Sequence, residues 1–184
     1  MEIENFEQKK QILSNLLIDG FDNANYSHKL LFKSELDDEK EFDKQKDLMC
    51  ALTYLNQAHA SFTNAYTFIA LNDELLGGRQ EFDNILHQFT VFNTEFLNNV
   101  RTNHSHQWSD IEFKRLVDFF EAASGLLNGH ERIQGLINEA RKLTIIVSQP
   151  TLHVGFFAFF NISNYLAEQL LFVTRYSFFI YPTW

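Results

Sequence analysis

Leu48-Met-Cys-Ala-Leu-Thr-Tyr-Leu-Asn-Gln-Ala-His-Ala-Ser-Phe-Thr-Asn-Ala-Tyr-Thr-Phe-Ile69 is the stretch whose reading decides the fold class. Leu48, Leu52, Leu55, His59, Phe62, Tyr66 and Ile69 recur in it at alternating spacings of four and three. An α-helix turns once in 3.6 residues, so this spacing lines one helical face, whereas a half-buried strand would alternate every second residue. The stretch predicts a long helix that turns one stripe to its neighbours and ends near Gly77-Gly78. His59 falls within that stripe, where a lone histidine is expected to be buried and hydrogen-bonded.

The same period continues on the C-terminal side. Phe82, Ile85, Phe89, Phe92, Phe96 and Val100 form a second stripe. Ser109-Asp-Ile-Glu112 has the spacing of a capping box, which predicts a helix starting at Asp110 and stopping around Asn128-Gly129. Its apolar residues are Phe113, Leu116, Val117, Phe120 and Leu127. Ile133, Leu136, Ile137, Ala140 and Leu143 make a further helix to about Ser148, and Pro150 breaks the chain before a final Phe-rich helix. On the N-terminal side Ile3, Phe6, Leu13 and Leu17 predict a first amphipathic helix closed by Asp19-Gly20. Asp22-Asn-Ala-Asn25 then reads as a turn, 29–34 as a short helix and 35–47 as a charge-dense connector.

Twenty phenylalanines against two prolines and seven glycines fit long helices better than a many-turned β fold. The expectation is an all-α, up-and-down bundle of about five to seven helices. It forms a single helical domain over residues 1–184, with 1–47 an acidic N-terminal helix and connector and 48–184 the bundle core. No Gly-rich phosphate loop follows a strand, and neither G-x-S-x-G nor H-E-x-x-H occurs, so the common nucleotide-binding and hydrolase architectures lack support.

The net charge of −9 favours solubility and argues against a generic nucleic-acid-coating surface, though not against a few local basic groups. Residues 1–47 hold twelve of the 24 acidic side chains, which makes that region the solvated or partner-facing one. The single cysteine, Cys50, excludes an intramolecular disulfide framework and multi-cysteine zinc patterns. The acidic start lacks an apolar segment of the secretory kind, which gives a cytoplasmic expectation. Residues 154–173 are rich in Phe, Leu and Ile, but Asn161, Asn164, Glu168 and Arg175 run along one face. A carboxylate near a bilayer centre costs a few kcal/mol, so a core or dimer helix is expected there and no membrane span.

One segment concentrates reactive side chains: Val100-Arg-Thr-Asn-His-Ser-His-Gln-Trp108, between two predicted helices. Arginine and histidine together can cleave RNA without metal. A neutral imidazole accepts the ribose 2′-OH proton or protonates the leaving 5′-oxygen, and guanidinium stabilises charge on the phosphorane. Arg101 and His106, four residues apart between them, fit R-x(4–6)-H, and here the chain resembles the HEPN superfamily of compact helical bundles. Many members carry Asn, Asp or His directly after the arginine, where this chain has Thr102, with Asn103 one place later. The resemblance implies a metal-independent endoribonuclease of toxin–antitoxin, phage-defence or stress-response type. It also implies a homodimer whose two motifs face each other, with Arg101 and His106 catalytic and no cofactor or metal. Asn103, His104 and His59 are accessory candidates, His59 as a partner to the Arg101 loop. His104 and His106 have a spacing that an extended segment would turn to one side, but a metal site would need a third ligand from elsewhere. The alternative is a non-catalytic helical interaction module, an immunity, antitoxin or adaptor protein, supported by the acidic N-terminal third and the aromatic C-terminal helix.

Overall fold

The computed structural model describes residues 2–36, 41–72, 75, 79–102 and 107–148. These hold five α-helices and no strand: α1 (Glu2–Leu36), α2 (Glu41–Ala70), α3 (Arg79–Thr102), α4 (Gln107–Ala123) and α5 (His130–Ser148). A 3-10 turn, Ser124–Leu126, follows α4. Contacts divide the chain into two units, Met1–Thr144 and Ile145–Trp184, and the architecture below is that of the first.

Paired residues give the direction of each helix. Along α1 and α2, Ser27 Oγ donates to the Ala51 carbonyl (2.8 Å), and Gly20 lies against the Phe62 ring, so the two are antiparallel. Phe62 of α2 meets Phe89 of α3 at 4.3 Å between ring centroids. The Gln88–Glu112 and Asn99–Ser109 hydrogen bonds join α3 to an antiparallel α4. Phe21 stacks on Phe120 at 4.2 Å while His28 meets Asp110, so α1 and α4 are antiparallel and close an up-and-down four-helix ring. The Asp19–Arg132 and Lys29–Glu139 ion pairs set α5 parallel to α1.

The core is a column of aromatic and aliphatic side chains. Phe82, Ile85, Phe89, Phe92 and Phe96 of α3 and Phe113, Leu116, Val117 and Phe120 of α4 are buried at the positions their spacing predicts. Each such burial stabilises by roughly 1.5–3 kcal/mol. The α2 stripe differs from the sequence expectation. Leu55, Phe62 and Ile69 are buried as expected, but the alternate positions belong to Ala51, Ala58 and Ala65, while Tyr66 is 59% exposed and His59 is exposed. Alanine there lets α1 approach closely. A Cβ at Gly20 would lie 3.0 Å from the Phe62 ring, so glycine is the residue that admits it.

Gly20 therefore ends no helix. The turn expected at 22–25 and the short helix expected at 29–34 are parts of one continuous α1, because Phe21, Ala24, His28 and Leu31 extend its buried face. Asn23 donates to the Asp19 carbonyl (2.8 Å), an i to i−4 bond that fits within the helix. Most of the expected connector at 35–47 is likewise helical, since α2 begins at Glu41, and α2 ends at Ala70 rather than near Gly77-Gly78. The helix expected to start at Asp110 begins at Gln107, so Ser109 lies inside its first turn, buried and accepting from Asn99. That helix ends at Ala123, short of the stop expected around Asn128-Gly129. Gly129 instead directly precedes α5, takes φ +89°, a left-handed conformation suited to glycine, and its carbonyl accepts from Ile133. The helix expected over 154–173 lies outside the described residues. Among the described residues no helix is long and apolar enough to cross a membrane.

Candidate functional site

Where α3 leaves and α4 returns, several polar side chains among the described residues come together. Arg101 stands exposed in the last turn of α3, with Nη2 donating to Asn98 Oδ1 at 3.4 Å. A cation at a helix C-terminus lies against the negative end of the helix dipole, which stabilises it there. Trp108, 43% exposed, opens α4 on the other side of the junction. Asn103, His104 and His106 lie outside the described residues.

Beneath this junction the core turns polar. Asn99 Nδ2 donates to Ser109 Oγ (2.7 Å), fixing the register of α3 on α4 two residues before Arg101 and one after Trp108. At the next residue of α4 His28 Nε2 donates to Asp110 Oδ1 at 2.5 Å, with His28 only 1% exposed. The His28 ring stacks on Phe113 at 4.2 Å and meets the edge of Phe92. Asp110 lies in the first turn of α4, where the positive end of the helix dipole favours a carboxylate. Gln88 Nε2 donates both to the Glu112 carbonyl and to Glu112 Oε2, and Arg115 holds the other carboxylate oxygen at 2.7 Å. Two further buried atoms of α1, His28 Nδ1 and Asn25 Oδ1, have no hydrogen-bond partner. An oriented imidazole–carboxylate pair is also the geometry of acid–base dyads, but its burial under Phe113 and Phe92 makes it a brace for the junction and not a contact surface for substrate.

His28 escaped the sequence reading because α1 was expected to stop at Gly20. Taken as one helix, Leu17, Phe21, Ala24, His28 and Leu31 alternate spacings of four and three, and that pattern places His28 inside.

His59 does not join Arg101. It stands 6.3 Å from the Phe89 ring, and Phe89 is twelve residues before Arg101, about 18 Å along α3 at 1.5 Å per residue. His59 instead lines a cleft of about 350 Å³ between α2 and α3, with His87 from the opposite wall. Among the described residues no three His, Cys, Asp or Glu side chains cluster as metal ligands would. The fold and this region thus define a helical bundle with a polar-braced helix junction. No family model, curated protein or solved structure matches the chain.

Proposed function

We propose that the α3–α4 junction is the site of metal-independent RNA cleavage, with Arg101 and His106 as its catalytic residues. The observation that supports this reading best is Arg101 itself. It is exposed at a helix end, lightly held by Asn98, and stands over a junction fixed by buried hydrogen bonds. Catalysis by positioned charge needs such a backing, since a guanidinium that wanders loses most of its value to the transition state.

In the proposed reaction the ribose 2′-oxygen bonds to phosphorus as its proton passes to imidazole. The P–O5′ bond breaks and the 5′-oxygen takes a proton, leaving a 2′,3′-cyclic phosphate and a 5′-hydroxyl. Arg101 stabilises the phosphorane charge. Two copies of the chain facing each other would supply two His106 imidazoles, one as base and one as acid. The setting proposed is a cytoplasmic toxin, defence or stress-response factor, held in check by a protein partner.

The test incubates purified protein with mixed RNAs, with and without EDTA, alongside Arg101→Ala and His106→Ala. Cleavage should survive EDTA, spare DNA and yield cyclic-phosphate ends. Arg101→Ala should lower kcat by about 10²–10³, by analogy with the loss of one oxyanion donor. Equal cleavage by wild type and both variants would assign the activity to a contaminant and refute the reading. The second reading, a non-catalytic interaction module, is favoured by the α1–α2 surface. There Tyr26 stacks on Tyr54 at 5.4 Å, and Met49 of α2 is 65% exposed.

A further inference from the structure

The cleft between α2 and α3 shares a helical face with Arg101. Asp83, His87, Thr90, Thr94, Leu97 and Arg101 follow one another at alternating spacings of four and three, so they form one stripe along α3. His87 and Arg101 are fourteen residues apart on it, about 21 Å along the axis. A strand bound at the junction can follow this stripe to the cleft.

The cleft has the chemistry of a base pocket and not of a phosphate pocket. Its floor is aromatic: Phe62 and Phe89 are buried with their rings 4.3 Å apart. Its walls carry three further flat side chains, His59, His87 and the exposed Tyr66, and unpaired bases stack on such rings. Thr63 and Thr90 bring hydroxyls that both donate and accept. The carboxylate present is Asp83, which Arg79 meets at 3.5 Å. A carboxylate repels phosphate but accepts from an exocyclic amino group, as acidic side chains do from cytosine N4. The volume of about 350 Å³ is at the small end for ligand pockets, enough for a nucleoside.

We infer that the α2–α3 cleft holds one unpaired, amino-bearing nucleobase of a single-stranded RNA whose cleaved linkage lies at Arg101. This rests on the reading of the α3–α4 junction as a ribonuclease site and adds its substrate class: single strands with cytosine or adenine several nucleotides from the cut. His87→Ala and Tyr66→Ala remove exposed side chains, so both variants should fold.

Steady-state kinetics on a single-stranded octaribonucleotide and on a dinucleotide test the inference. The octanucleotide reaches from the junction to the cleft and the dinucleotide does not. Each variant should raise KM for the octanucleotide about tenfold with kcat unchanged, and leave the dinucleotide parameters alone. Cytosine at the distal position should be preferred over uracil, and Asp83→Asn should erase that preference. An unchanged octanucleotide KM, or an equal loss on both substrates, would overturn the inference while leaving the ribonuclease reading intact. Binding of the 2′-deoxy octanucleotide separates the remaining cases. If no RNA is cut but His87→Ala weakens that binding, the cleft stands and the cleavage reading falls; if no oligonucleotide binds, both fall.

Discussion

The α1–α2 seam and the seams that α4 makes with α1 and α3 solve the same problem by different means. Along α1 and α2 the contact residues are small: Gly20 and Ala24 on one side, Ala51, Ala58 and Ala65 on the other. Register there is set mainly by shape, with the Phe62 ring seated where Gly20 has no Cβ and a hydrogen bond, Ser27 Oγ to the Ala51 carbonyl, beside it. Along α4 the apolar contacts are mostly large rings, Phe21, Phe92, Phe113 and Phe120 among them. Rings of one kind can slide past one another, so the alignment is set by directed bonds: Asn99 to Ser109, Gln88 to Glu112 and His28 to Asp110. Steric fit dominates where side chains are small and distinct, with a hydrogen bond from Ser27; three directed side-chain bonds serve where they are large and alike.

The comparison is broken most severely at His28. His28→Leu leaves the Asp110 carboxylate buried without its imidazole, a loss of about 3–5 kcal/mol in chemical denaturation. Joint replacement of His28 and Asp110 by leucine should cost much less than the two single changes summed. Strict additivity in that double-mutant cycle would show that the pair sets no register.

Next in size is the small-residue seam. Ala58→Leu inserts three carbons between packed helices and should destabilise by about 1–3 kcal/mol through overpacking. The same substitution at exposed Ala60 should stay within about 0.5 kcal/mol, and equal effects at the two sites would refute the close-packed seam.

The smallest effect belongs to the ionic seam between α1 and α5. Burial raises the Asp22 carboxyl above its ordinary 3.8, Arg132 pulls it back down, and Glu139 and Asp19 push it up again. Because the folded value exceeds the unfolded one, the contribution of this group is fully present below about pH 3.8 and is lost as pH rises through the raised value. Asp22→Asn should flatten the urea midpoint across that window and raise it slightly at neutral pH. A lower midpoint at pH 7 would mean that the Arg132 ion pair outweighs burial.

What the sequence made legible follows the size of its hydrophobic residues. The stripes of α3 and α4 were readable because Phe repeated at helical spacing announces a core. In α2 the larger Leu52, His59 and Tyr66 outweigh Ala51, Ala58 and Ala65 in the pattern, and they place the stripe about one residue round the helix from the buried face. Alanine has little transfer energy of its own, and its value here lies in the approach it permits to α1. Gly20 gave a false stop for a related reason: a glycine that fits a ring from another helix looks, in one dimension, like a breaker. For the candidate site, the pattern put Arg101 between two helices, whereas α3 runs on through Thr102 and carries Arg101 in its last turn. The brace under it was not legible in the pattern, because His28 and Asp110 are 82 residues apart and only the closed ring of helices joins them.

The order of the seams along the chain bears on how the protein is made. The α1–α2 hairpin is complete at Ala70, whereas α4, which closes the ring, ends at Ala123. At 5–20 residues per second of synthesis, the first hairpin waits roughly 3–10 s for its partners. Helical hairpins form in far less time than that. During the wait Phe62, Leu55 and Leu17 have only the hairpin itself to cover them, so a nascent chain halted after α2 should be the species most readily captured by chaperones. Pulse proteolysis of ribosome-bound chains halted after α2 and after α4 would show protection rising sharply between the two lengths.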